Sequence, residues 1–153
     1  MEITLIIDSL AKMNKLAKLV AEHLGKGDVI GLKGDLGSGK TTFTKFMAKA
    51  MGIGDNVNSP TFTILKIYQG ELPLYHMDVY RLEDAGYDFE LEEYIYGEGV
   101  SVIEWYPYIE SMLPEAILSL EIQFIDAASR QVTVRGEGKY ARIVETIGNR
   151  YGD

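Results

Sequence analysis

One stretch of this sequence is built to hold phosphate. Residues 34–41 read Gly34-Asp35-Leu36-Gly37-Ser38-Gly39-Lys40-Thr41 and match the pattern G-x-x-x-x-G-K-[ST]. Glycines let the backbone turn tightly and aim successive N–H groups at one anion. A helix starting at the lysine would present its positive end to a β-phosphate. Lys40 would reach the β and γ oxygens, the Thr41 hydroxyl would ligate Mg²⁺, and the cradle would run through Asp35, Leu36, Gly37, Ser38, Gly39, Lys40, Thr41 and Thr42. Two carboxylates sit where such a cradle needs them. Glu104 follows the apolar run Val100–Ile103, the Walker B arrangement that holds Mg²⁺ directly or through water; the plainer reading is a strand-end glutamate facing solvent. Asp78 ends another strand-like run, where it is either a Mg²⁺ partner or a base that orients water. His76, two residues earlier, is read equally well as a satisfied, partly buried histidine.

The elements that must position these residues follow from periodicity. Ile3, Leu5 and Ile7 are weakly strand-like, and Asp8 or Ser9 offers a helix N-cap. Leu10, Met13, Ala17, Val20 and Leu24 have helical spacing, which predicts a helix over 10–24 stopped by Gly25 and Gly27. Asp28–Lys33 reads as a buried strand leading into the glycine-rich loop. A second helix begins near Lys40, with Phe43, Phe46, Met47, Ala50 and Met51 on its apolar face. Thr61–Tyr68 and Leu74–Asp78 read as strands, residues 84–95 as an acidic surface helix, and Val100–Trp105 as a further strand. Leu118–Phe124 and the run through Val132 and Val134 form an antiparallel hairpin, and Tyr140, Ile143, Val144 and Ile147 suggest a closing helix. The expectation is one α/β domain over residues 1–153 with a P-loop NTPase fold: a central, mainly parallel sheet flanked by helices, with a C-terminal antiparallel hairpin.

Composition narrows the function. The 153 residues carry 15 Lys+Arg against 23 Asp+Glu, a formal charge of −8, which disfavours direct, tight binding to a nucleic-acid backbone. With no cysteine there is no disulfide framework and no thiolate chemistry. The opening Met1–Leu10 has no basic region of a signal peptide, and no run reaches the roughly 18 apolar residues of a membrane span; a cytoplasmic protein is expected. The guanine-reading N-K-x-D motif is absent after the loop, and the D-x-x-G stretch Asp28–Gly31 precedes it. No Lys or Arg occurs from Leu82 to Ser129, so a basic lid of the kind that grips a transferred phosphoryl group has no residues to form it in the middle of the chain. That argues against a small-metabolite phosphotransferase. A non-hydrolysing nucleotide-binding regulator stays open beside a simple ATP-hydrolysing switch.

The loop Gly34–Thr42, the segment Ser59-Pro60-Thr61-Phe62, the run His76-Met77-Asp78-Val79-Tyr80-Arg81-Leu82 and Ile103-Glu104-Trp105 stand in an order and spacing that resembles the TsaE (YjeE) family. The resemblance covers nearly the whole chain. It implies a small ATPase of bacterial tRNA threonylcarbamoyladenosine (t6A) biosynthesis that works on, or resets, a complex of TsaB and TsaD. ATP and Mg²⁺ are then the expected ligands. Thr41, Glu104 and Thr61 would lie on the metal side, with Thr61 in a switch-like segment, Asp78 orienting or activating water, and Lys40 and Glu104 completing the catalytic set. Arg81 would balance γ-phosphate charge or pair with the acidic stretch Glu83–Glu93. That stretch, interleaved with Tyr87, Tyr94 and Tyr96, is read as a solvated helix face or as a docking surface for a protein partner. Tyr106-Pro107-Tyr108 stands where family members often carry a charged pair. Turnover by the chain alone is expected to be slow.

Overall fold

The computed structural model describes residues 1–35, 37–54, 57, 65–80 and 90–151. Its centre is a seven-stranded sheet made of β1 (Glu2–Ile7), β2 (Val29–Lys33), β3 (Leu65–Tyr68), β4 (Leu74–Asp78), β5 (Val100–Glu104), β6 (Leu118–Phe124) and β7 (Arg130–Gly136), in the spatial order β1-β7-β6-β2-β5-β4-β3. The helices are α1 (Leu10–Ala21), α2 (Lys40–Ala50), α3 (Glu90–Ile95) and α4 (Ala141–Tyr151), with 3-10 turns over Tyr106–Met112. The expected mainly parallel sheet is corrected to a mixed one. β4–β5, β5–β2 and β2–β6 pair in parallel, while β3–β4, β6–β7 and β7–β1 pair antiparallel. The reason is connection length. The short links β3–β4 and β6–β7 can only reverse the chain, whereas a parallel return needs a crossover of a dozen residues or more.

Burial follows that plan. β2 and β5 lie inside the parallel core, with every residue of β5 and all but Lys33 of β2 buried. Alternation divides the core between the two faces of the sheet. Ile30, Leu32, Val100, Val102, Leu118, Leu120 and Ile122 pack with α1 and α2, whereas Val29, Met77 and Ile103 pack with Leu91, Ile95, Ile109 and Met112. Among the described residues no helix is long and apolar enough to cross a membrane.

Local chemistry moves several expected boundaries. Ser9 does cap α1, its hydroxyl accepting from the Lys12 amide at 3.1 Å. That helix stops at Ala21, not at residue 24. Asp28 is not the first strand residue but a hook: one carboxylate oxygen accepts the Gly25 amide at 2.8 Å and the other accepts the Tyr140 hydroxyl at 3.1 Å. The buried stripe of α2 is Lys40, Phe43, Thr44, Met47 and Ala48, and Ala50 is exposed. β5 ends at Glu104 because Trp105 turns left-handed at φ 63°. Residues 61–64 and 84–89, expected to extend β3 and α3, lie outside the described residues.

Tyr140 joins the closing segment to the start of β2. Its hydroxyl accepts the Val29 amide at 2.9 Å and donates to Asp28, all three groups being buried. Burial raises the pKa of the Tyr140 hydroxyl, so it stays a neutral donor at working pH. Tyr140→Phe strips the Val29 N–H of its partner. It should cost about 1–3 kcal/mol of unfolding free energy, the penalty for one unsatisfied buried donor, read as a lower urea midpoint at unchanged slope.

Candidate functional site

The glycine-rich loop joins β2 to α2. Gly34 leaves β2 at φ 156°, and a Cβ there would lie 2.3 Å from the Ile122 carbonyl oxygen and 2.6 Å from Ser38 Oγ. Only glycine fits so close to β6. Gly39 holds φ 113° as the N-cap of α2, a left-handed position that frees the first helical turn to face outward. The Ser38 amide donates to the Asp35 carbonyl at 3.0 Å, closing the turn. Leu36, expected in the cradle, lies outside the described residues. Thr41 and Thr42 occupy the first turn of α2, both half-buried.

Strand register brings the carboxylates to this loop. In the parallel β4–β5 pair Asp78 stands opposite Glu104, and in β5–β2 Glu104 stands opposite Leu32, two residues before Gly34. The residues are therefore gathered at the carboxyl ends of the parallel strands, where open α/β sheets collect their ligands. His76, Asp78 and Glu104 share the parity of Leu74 and Val102, so they face the α1–α2 side of the sheet.

Lys40 is the cation of the site. It is buried to 7% exposure, its ammonium donates to the Gly34 carbonyl, and Nζ lies 4.3 Å from the centre of the Trp105 ring. Burial lowers its pKa, while Glu104, Asp78 and Asp35 pull it back up. Asp78 is displaced the opposite way. Desolvation raises its pKa and the Glu104 charge adds to this, against the Tyr80 amide that donates to Oδ1 at 3.1 Å. Glu104 is almost fully buried, and His76 Nε2 donates to its Oε2 at 2.7 Å. Because a carboxylate only accepts, this bond fixes which imidazole nitrogen carries hydrogen. His76 is fully buried, not partly so, and only its Nε2 is satisfied; its partner is the candidate metal carboxylate.

Two features were not legible in the sequence. Trp105, Tyr80 and Tyr108 form an aromatic cluster, with Tyr80–Trp105 centroids 5.2 Å apart and Trp105 stacked near-parallel on Tyr108 at 6.1 Å. Trp105 is the only described non-glycine residue at positive φ, and its amide donates to the Leu32 carbonyl at 2.9 Å. Such strain gathers at functional sites. The second is Arg130. Its Nε donates to the Ser38 carbonyl at 2.7 Å and Nη2 reaches the Gly37 carbonyl at 3.4 Å. The only hint in the sequence was that it is the first basic residue after the long stretch without any. Ser38 Oγ and His76 Nδ1 are the buried side-chain polar atoms without a hydrogen-bond partner among the described residues, and both lie at this site. Thr61, Ser59 and Arg81 fall outside the described residues. So does most of the acidic stretch. Among the described residues no three His, Cys, Asp or Glu side chains group closely enough to hold a metal ion.

Comparison with known proteins decides the family. The model of the family described as threonylcarbamoyl adenosine biosynthesis protein TsaE matches residues 7–132. This chain belongs to the TsaE family. It is 48% identical over 137 residues to the tRNA threonylcarbamoyladenosine biosynthesis protein TsaE of Bacillus subtilis, covering 89% of this chain and 80% of that protein. The TsaE of Treponema pallidum is 44% identical over 119 residues, 76% of this chain and 87% of that protein. Among solved structures, Bacillus subtilis YdiB superposes with a TM-score of 0.81 at 36% identity, covering 100% of this chain and 97% of that one. The α/β architecture is that of the YdiB structure, and the family is one of t6A biosynthesis.

Burial of the Asp78 carboxylate should cost stability. The raised pKa of Asp78 means that its ionised form is disfavoured in the folded chain. The cost is present above the folded pKa and absent below the unfolded one, where both states are protonated. Asp78→Asn should therefore melt at a higher temperature than the wild type at pH 7.5, and the gap should close as the pH falls through the carboxylate range. A lower melting temperature for the variant at pH 7.5 would contradict this.

Proposed function

We propose that this chain is a Mg²⁺-dependent ATPase that supports t6A modification of tRNA, acting on or resetting a TsaB–TsaD complex. The observation that supports it best is the convergence of Lys40, Asp78 and Glu104 on one glycine-rich loop at the carboxyl ends of the central parallel strands. In this reading the loop is a phosphate loop of a P-loop NTPase fold. Backbone amides of residues 37–42 and the Lys40 ammonium bind the triphosphate, exchanging the Gly34 carbonyl and the Trp105 face for phosphate oxygens. The donor set suits Mg²⁺: hydroxyl and carboxylate oxygens are hard ligands, and few of them are needed because Mg²⁺ keeps waters and binds nucleotide phosphates in place of an all-protein cage. Thr41 and Glu104 would hold the ion, with Thr61 from the switch-like segment. Mg²⁺ when bound neutralises charge on the β and γ oxygens.

Hydrolysis breaks the bond between the γ-phosphorus and the β–γ bridging oxygen, which leaves with ADP, as a water oxygen bonds to the γ-phosphorus. Asp78 orients that water and takes its proton, a role that its raised pKa favours by making it a better base than an ordinary surface aspartate. His76 holds Glu104 in one rotamer. No lid cation is available from the stretch between Leu82 and Ser129, so turnover without partners is slow.

Lys40→Ala and Glu104→Ala should each lower ATP hydrolysis by on the order of 100-fold or more with an unchanged circular dichroism spectrum, and EDTA should stop the wild type. Undiminished phosphate release in both variants would overturn the assignment. With a charge of −8 the chain alone should not retain tRNA in a gel shift at physiological salt, leaving the tRNA to its partners.

A further inference from the structure

We propose that Arg130 is the brace of the phosphate loop, a positioning residue that sets nucleotide affinity from the outer side of the cradle. The proposal rests on the nucleotide-binding reading above. Arg130 opens β7, opposite Phe124 on β6 and Ile7 on β1. It shares the parity of Val132 and Val134, so its side chain is delivered to the face of the sheet on which α1 and α2 lie. There the guanidinium spans two segments. On the loop it donates through Nε to the Ser38 carbonyl at 2.7 Å and through Nη2 to the Gly37 carbonyl at 3.4 Å. On the hairpin it donates through Nη1 to the carbonyls of Asp126 at 2.7 Å and Ser129 at 2.9 Å. The cation also lies 4.7 Å from the centre of the Phe124 ring.

The hairpin end is itself fixed. Asp126 Oδ1 accepts the amides of Ala128 and Ser129, each at 2.9 Å, so the guanidinium is anchored to a closed turn.

The consequence comes from peptide geometry. In a planar trans peptide the C=O and the N–H on either side of one bond point in opposite directions. Holding the Ser38 carbonyl outward therefore holds the Gly39 N–H inward, toward the concave side of the loop. Gly39 sits at φ 113°, where a free glycine has little to keep it in place. All four acceptors of Arg130 are main-chain carbonyls, and among the described residues it forms no ion pair with a carboxylate. Its charge thus adds to the positive potential of the loop. The planar fork serves both segments at once, which a lysine ammonium with its single donor centre does not. Arg130 does not itself touch the reacting atoms.

The test compares wild type, Arg130→Ala, Arg130→Lys and, as a control on the exposed side of α4, Arg142→Ala. Calorimetric titration with Mg·ATP and Mg·ADP is paired with amide hydrogen exchange of a peptide covering residues 37–42. Arg130→Ala should weaken both nucleotides equally, by about 10- to 100-fold, the usual range for one or two lost charge-assisted hydrogen bonds. KM should rise by the same factor with kcat changed less than about threefold, since the cradle grips phosphates in the ground and transition states alike. Exchange at 37–42 should accelerate in the nucleotide-free variant, Arg130→Lys should recover less than half of the lost binding free energy, and Arg142→Ala should match wild type. Unchanged affinity with unchanged exchange in Arg130→Ala would overturn the brace, as would full recovery by lysine. If wild type binds neither nucleotide, the ATPase reading fails, and the exchange measurement alone decides whether Arg130 orders the loop.

Discussion

The site depends on keeping one ammonium and two carboxylates together, largely out of water. Lys40 is nearly buried and Glu104 more so, and desolvation shifts Lys40 and Asp78 in opposite directions, each toward its neutral form. Their mutual attraction makes the arrangement tolerable, since a buried charge without a partner is strongly destabilising. The rest of the structure serves this balance. The parallel pairing of β4, β5 and β2 fixes Asp78 beside Glu104, and α2 starts at Lys40 so that its ammonium donates to the Gly34 carbonyl within the electrostatic reach of both carboxylates.

Around that centre the fold adds further supports. His76 fixes Glu104 from beneath, and the Trp105 ring lies against Lys40. Trp105 adopts its left-handed backbone at the residue where β5 ends, so one strained residue both terminates the strand and brings its ring to the lysine. The hairpin β6–β7 has two roles: Ile122 leaves no room for a side chain at Gly34, and Arg130 grips the loop from outside. The negative net charge of the chain and the positive character of its loop are thus compatible, because the cations that matter are placed by packing and not by composition.

Much of this was legible in the sequence, for reasons particular to each element. The loop was legible because its glycines and Lys40 are adjacent in the chain and their chemistry is local. β4, β5 and the β6–β7 hairpin were legible because apolar periodicity survives wherever a strand is buried on one face or both. The mixed pairing of the sheet is not legible there, because periodicity marks each strand but not its neighbours, and strand order depends on which crossovers pack. The stripe on α2 was misplaced at Ala50 because Thr44 and Lys40, both polar, occupy buried positions there for the sake of the site.

By itself the sequence determined the glycine-rich loop with its G-x-x-x-x-G-K-[ST] pattern, that Asp78 and Glu104 end apolar strands, and that no basic lid can form between Leu82 and Ser129. These follow from residue type and from spacings of a few positions, which the covalent chain fixes. Only the tertiary structure decided that Asp78 pairs with Glu104, that His76 holds Glu104 across a separation of 28 residues, and that Arg130 reaches Ser38 across 92. Contacts so distant in the chain are set by strand order and register. A shift of register by a single residue would turn every one of these side chains to the opposite face of the sheet.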